Sequence, residues 1–171
     1  AAEFYQRAKD ELEADKADPL LGPAFAQAGD KLVFLDAIQV GLRNPLDLAD
    51  KRFAAVRADA LRAVALMEAR ADRPVEAAFA ADEFLKLARA PDDLFAAARV
   101  YAKCTTTARG TAAARDDYAR SAVDALRRAV AAGFRDADAV SGADWEAVKT
   151  RAPEVDKVVG EMAKPRAPEK N

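Results

Sequence analysis

Arg99 and Lys103 lie four residues apart in the stretch PDDLFAAARVYAKCTTT, a spacing that brings two side chains together on one face of a helix. Two cations so placed can hold a carboxylate or a phosphate on a partner, the guanidinium by a two-pronged hydrogen bond. Little else in the chain points to chemistry. There is no His, which removes Ser-His-Asp and Cys-His catalysis, His-ligated zinc and the usual proton shuttle near neutral pH. The single Cys, Cys104, cannot build a thiolate metal cluster or an intrachain disulfide. Lys103 beside it could lower a thiol pKa, but the pattern favours a partly buried, inert thiol. The carboxylate pairs Asp82-Glu83 and Asp116-Asp117 are adjacent in sequence, so they diverge on a helix instead of converging on a substrate. Glu3, Arg7, Asp10 and Glu11 follow the spacing of exposed salt bridges. No catalytic constellation assembles, so the chain is expected not to be an enzyme and to need neither cofactor nor metal.

The chain that must position these residues has 171 of them, enough for one domain or one stack of helical repeats. It is 51% hydrophobic and 33% charged, with a net charge of −2. Alanine is its most frequent residue, and Ala combines high helix propensity with close approach of helix backbones, so an all-α fold is expected. Basic runs such as Asp124-Ala125-Leu126-Arg127-Arg128 carry nearby acids and read as solvated helix faces, not as a nucleic-acid surface. No window is apolar enough to span a membrane, and the charged, amphipathic start AAEFYQRAKDELEADK does not read as a signal peptide. With one unpaired Cys, these features point to a cytoplasmic location.

Apolar periodicity and punctuation predict about seven to eight helices. Residues 2–17 form a modest amphipathic helix through Phe4, Ala8 and Leu12, broken at Asp18-Pro19. A second runs from Pro23 to Leu42, with Phe25, Ala28, Leu32, Leu35 and Leu42 inward, Phe34 and Ile38 widening that face, and Gly29-Asp30 as a break between two shorter helices. Asn44-Pro45 starts a helix reaching Arg70, with Phe53, Val56, Ala60, Ala63, Val64 and Met67 inward. The next spans Val75 to Arg89, burying Ala77, Ala80, Ala81, Phe84 and Leu87. Residues 93–106 and 113–132 are helices joined by an exposed loop, Thr105 to Thr111, and the second stops at Gly133 with Phe134 packing back on Ala129 or Val130. Ser141 is placed as the cap of a short helix bearing a buried Trp145 and Val148, and Pro153 opens a last helix through Val155, Val158, Val159 and Met162. Tyr101 and Tyr118 read as core residues whose hydroxyls reach a hydrogen-bond partner. The tail 165–171 is expected to be mobile.

The order of large, small and aromatic residues in the two central helices is similar to a tetratricopeptide (TPR) unit, a helix–turn–helix that stacks with copies of itself. Leu94, Ala97, Ala98 and Tyr101 supply the first-helix pattern, and Tyr118, Ala122, Leu126 and Ala129 the second. Ala80, Phe84 and Leu87 reproduce it in part, with Pro91 near the expected repeat-ending Pro. Tyr118, Ala119, Ala122, Val123, Ala125, Leu126, Arg127, Ala129, Val130, Gly133, Phe134, Arg135 and Asp136 together resemble the C-terminal TPR-like region of planctomycete serine/threonine protein kinases, over about residues 75–163. Ala143-Asp144-Trp145 stands where that family carries an Asp-x-Asp-Leu run, and the kinase catalytic motifs are absent. The resemblance implies an accessory or regulatory module.

If residues 93–106 are the inner helix of such a unit, Phe95, Arg99, Ala102 and Lys103 face its concave groove. Alternatively, Arg99 and Lys103 pair with Glu68 or Asp72 of the preceding inner helix. The only Asn residues, Asn44 and Asn171, do not sit on such a helix, which argues against the carboxylate clamp of chaperone-binding TPR domains. The expectation is an all-α stack of antiparallel hairpins in a TPR-like right-handed superhelix. A single domain spans residues 1–164, with N-terminal helices at 1–45, a repeat-like core at 46–134 and capping helices at 135–164. Its expected role is non-catalytic binding of a protein or peptide, with an acidic segment as a candidate partner and Phe95, Arg99 and Lys103 as groove residues. The alternative is a structural spacer or self-association domain with no dedicated ligand.

Overall fold

The computed structural model describes residues 22–108 and 111–162, with side chains described from residue 30 onward. The amphipathic segment at 2–17, its break at Asp18-Pro19 and the tail 165–171 lie outside the described residues, and the side chains of Phe25 and Ala28 outside the described side chains. All regular structure among the described residues is helical: α1 (Gly22–Arg43), two 3-10 turns (Pro45–Ala49 and Lys51–Phe53), α2 (Arg57–Arg70), α3 (Pro74–Leu87), α4 (Pro91–Thr107), α5 (Ala112–Ala132), α6 (Ala143–Arg151) and α7 (Val155–Met162). Among the described residues no helix is long and apolar enough to cross a membrane. The contacts divide the chain into two compact units, residues 1–60 and 61–171; the expected domain of residues 1–164 has no such division.

In the first unit α1 runs unbroken through Gly29-Asp30. Its covered side is the face of Phe34, Ala37, Ile38 and Gly41, while Leu35, expected inward, is 48% exposed. The helix expected from Asn44 to Arg70 is instead interrupted. Asn44 caps a 3-10 turn by accepting from the Leu46 N–H at 3.2 Å. Asp50 then caps a second one through the Arg52 N–H at 2.9 Å. Two successive acceptor side chains offer the backbone local partners that compete with an α-helix. Leu48 and Phe53 are buried in these turns, and the Arg52 guanidinium lies 4.3 Å over the Phe53 ring.

In the second unit α4 is the central element. It packs most extensively on α5, then on α3 and α6, while α5 also carries α6 and α7. Pro74 and Pro91 begin α3 and α4, where a missing N–H costs nothing. Asp92 and Asp93 add negative charge at the positive end of α4, and Asp93 also pairs with Arg62 at 3.0 Å. Leu94, Ala97, Ala98 and Tyr101 are buried as their spacing predicts, as are Ala122, Leu126 and Ala129 of α5, whereas Tyr118 of the same pattern is only half-buried; Ala119 and Val123 are buried beside them. Two other inward assignments are corrected. Met67 is 45% exposed because the buried stripe of α2 runs through Ala60, Leu61, Val64, Ala65, Glu68 and Ala69. Leu87 is 37% exposed at the last turn of α3, where Ala88 takes the buried place.

The expected loop from Thr105 starts later, since α4 continues to Thr107. The hydroxyls of Thr105 and Thr107 donate to the carbonyls four residues back at 3.0 and 3.1 Å. Thr105 is buried. Gly133 closes α5 in the left-handed region at φ 115°, with its own N–H on the Val130 carbonyl and the Phe134 N–H on that of Ala129.

Glu68 is the most buried acid of this unit, at 2% exposure. Its Oε2 lies 2.6 Å from Arg73 Nε but off the line of a hydrogen bond, and no other donor reaches it. Burial raises the Glu68 carboxyl above its ordinary value of 4.5; Arg73 opposes this and Glu76 adds to it. A carboxyl raised on folding stabilises the fold while protonated, and that contribution is lost as pH rises from the ordinary glutamate range through the folded-state value. Glu68→Gln, which never ionises, should therefore match the parent's melting temperature near pH 4 and exceed it at pH 7. A variant less stable than the parent at pH 7 would show that the Arg73 pair outweighs desolvation.

Candidate functional site

Nine residues of α4 are buried, and what remains outside is a narrow strip through Arg99 and Lys103. Arg99 is exposed and Lys103 half-buried, and neither side chain has a hydrogen bond or ion pair among the described residues. The alternative partners are otherwise placed: Glu68 faces Arg73, and neither Glu68 nor Asp72 reaches the two cations.

Phe95 and Ala102 do not project into an open groove. Phe95 is 8% exposed and Ala102 1%. The reason lies downstream of α5. The turn at Gly133 sends Phe134 onto Phe95, ring centroids 4.2 Å apart and nearly parallel. Trp145 of α6 stacks on the same side-chain cluster, 6.2 Å from the Phe95 centroid. Trp145 is 3% exposed, as expected for the aromatic of a capping helix. Thus the helix that follows the hairpin covers part of the surface expected to bind a ligand.

Between α4 and the start of α6 a depression of about 340 Å³ remains. Phe95 and Trp145 contribute its aromatic walls, Arg99 its cation, and Ser141, Gly142 and Asp144 the opposite rim. The rim is held by local bonds. Ser141 does not cap α6: its hydroxyl donates to the Asp138 carbonyl at 2.7 Å. Gly142 occupies the cap position instead, at φ 91°, a conformation that a side chain would strain. Asp144 accepts from the Thr106 hydroxyl at 2.7 Å, and Arg151 at the other end of α6 pairs with Asp116 of α5 at 2.6 Å. These two links fix the cap across the hairpin. Sequence reasoning missed this rim because Ser-Gly before an acidic turn reads as a helix start, and nothing local shows that the turn returns to α4.

The other candidates are structural. Tyr101 is 2% exposed and donates its hydroxyl to Asp82 at 2.5 Å, joining α4 to α3. Burial and Asp82 raise its pKa far above the phenol's usual value. Tyr118, expected in the core with a bonded hydroxyl, is instead half-buried and its hydroxyl has no hydrogen-bond partner among the described residues; its pKa is raised chiefly by burial. Cys104 is fully buried with its thiol 3.5 Å from the Pro74 carbonyl, and burial pushes its pKa up to about 12, the opposite of an activated nucleophile. Among the described residues no group of His, Cys, Asp or Glu is placed to hold a metal ion. No family model, curated protein or solved structure matches this chain.

Proposed function

We propose that the second unit is a TPR-like, non-catalytic module that binds a protein or peptide, as an accessory or regulatory part of a larger protein acting in the cytoplasm. In this reading α2–α3, α4–α5 and α6–α7 are successive hairpins of a right-handed superhelix. The packing of α4 on α3, α5 and α6 supports that order, since each hairpin of such a stack leans on the next. The ligand is an acidic segment, with no role for nucleic acid, membrane or cofactor. The observation that carries the proposal is Arg99: an exposed guanidinium without a partner among the described residues, at the edge of an aromatic-walled depression. Lys103, one turn on, extends the positive strip. Phe95 contributes as a wall of the depression and not as a projecting contact.

The test uses a fluorescein-labelled Glu-rich peptide carrying one Phe, read by anisotropy. Arg99→Glu with Lys103→Glu should weaken its binding at least tenfold while the helical circular dichroism stays unchanged. Binding unaffected by the double substitution would remove the site from this strip. The alternative reading, a spacer or self-associating domain without a dedicated ligand, rests on the apolar side chains that α3 leaves in solvent, with Val75 68% and Phe79 40% exposed.

A further inference from the structure

The opposite side of α3 from its buried Ala stripe is neither a packed face nor an ordinary charged one. Val75 and Phe79 stand one turn apart as a pair of exposed apolar side chains, about 6 Å along the axis at 1.5 Å per residue, and exposed Leu87 lies two turns further on with Glu83 between. Beside Phe79 opens a shallow groove of about 720 Å³ that continues past Leu85 to Arg89 and to Arg128, which reaches over from α5.

The charges around this groove are sorted. Of its two acids, Glu83 is 6% exposed and pairs with Lys86, while Asp82 stays exposed and accepts the Tyr101 hydroxyl. Its two guanidiniums are not paired with acids. Arg128 donates to the Leu85 carbonyl at 3.1 Å and Arg89 to that of Ala88 at 2.7 Å. Each uses one of five N–H donors on the last carbonyls of α3 and has no carboxylate partner among the described residues. The groove therefore has Phe79 at one end and, at the other, two guanidiniums without a carboxylate partner among the described residues.

We propose that this outer face of α3 is a second docking surface, distinct from the Arg99 strip, and that its occupant is an amphipathic helix of a partner protein. The partner helix has apolar residues at i and i+4 over Val75 and Phe79 and carboxylates over Arg89 and Arg128. A helix fits because the apolar pair has the spacing of one helical turn, so side chains of a second helix can interdigitate with it. Acidic character follows from the two guanidiniums. A second copy of the chain would bring the same two guanidiniums to the interface, which disfavours it.

The probe is a fluorescein-labelled, hydrocarbon-stapled 14-residue helix with Leu at i and i+4 and Glu on its flanks, compared with the same helix carrying Lys for Glu. The Glu helix should bind the full chain at least tenfold more tightly than the Lys helix. Arg89→Glu with Arg128→Glu should reverse that order, and Phe79→Ser should weaken both helices about tenfold. Measured in the Arg99→Glu background, which disables the other strip, the Glu helix should still bind at least tenfold more tightly than the Lys helix, so failure here and failure at the Arg99 strip are separately visible. Equal binding of the two helices, no binding of either, or loss of that preference in Arg99→Glu would overturn the proposal. So would a concentration-dependent dimer in sedimentation velocity that Phe79→Ser abolishes, since the face would then belong to a second copy.

Discussion

Replacing Phe95 with alanine should cost about 3–5 kcal/mol of folding stability, the range for emptying a buried aromatic site. Phe95 is 8% exposed, and its ring is the shared surface on which Phe134 and Trp145 both rest. Its removal takes away a large buried apolar group and two ring contacts, each adding about 0.5–1.5 kcal/mol beyond the area buried. The depression next to the ring lets the new cavity open partly to solvent, but Trp145 cannot slide in to fill it without breaking the Thr106–Asp144 and Arg151–Asp116 links. A domain whose total stability is about 5–15 kcal/mol feels such a loss strongly. Urea titration followed by fluorescence of the single Trp measures it, since that residue is part of the cluster. Phe95→Leu, which keeps most of the volume, should lose less than half as much. A loss below about 1 kcal/mol for the alanine variant would mean that the rings touch without supporting one another.

The second large effect is expected from adding volume. Ala98→Leu should destabilise by about 2–3 kcal/mol, near the upper end for overpacking a tight core. Ala98 is fully buried in α4, and α4 is covered by α3, α5 and α6, so there is no open side toward which a larger group could move. Helix propensity hardly changes between Ala and Leu, so the cost reports packing alone. Ala113→Leu, at an exposed position of α5, is the control and should leave the melting temperature unchanged. If the two variants melt alike, the small residues of α4 do not set its distance from its neighbours.

What could be read in advance was what is local. Pro74, Pro91 and Gly133 mark helix ends by backbone constraint, and each does so in the structure. Ala97, Ala98, Ala122 and Ala129 lie in the core because small residues at helical spacing suit close helix contacts. The misreadings come from competition that periodicity does not register. Two acceptor side chains, Asn44 and Asp50, turn the start of an expected long helix into 3-10 turns. Thr105 and Thr107 prolong α4 because their hydroxyls bond back into it, although a Thr run reads as loop. For the candidate site, the positions of Arg99 and Lys103 on the helix surface followed from helical geometry. The burial of Phe95 did not, since it depends on where Trp145 arrives, some fifty positions later in the chain. Likewise the exposure of Phe79 depends on what fails to cover it.

The nearest-neighbour packing of α3 to α7 bears on how the unit reaches its structure. Within residues 61–162 the extensive contacts join helices that follow one another or stand two apart in the chain. The chain closes only short loops as it folds, so little entropy is spent before contacts form. Such low contact order places the unit among rapid folders, on the microsecond-to-millisecond scale of helical proteins. The α4–α5 hairpin, the largest local interface, is the expected starting point, to be checked by φ-values of its core alanines.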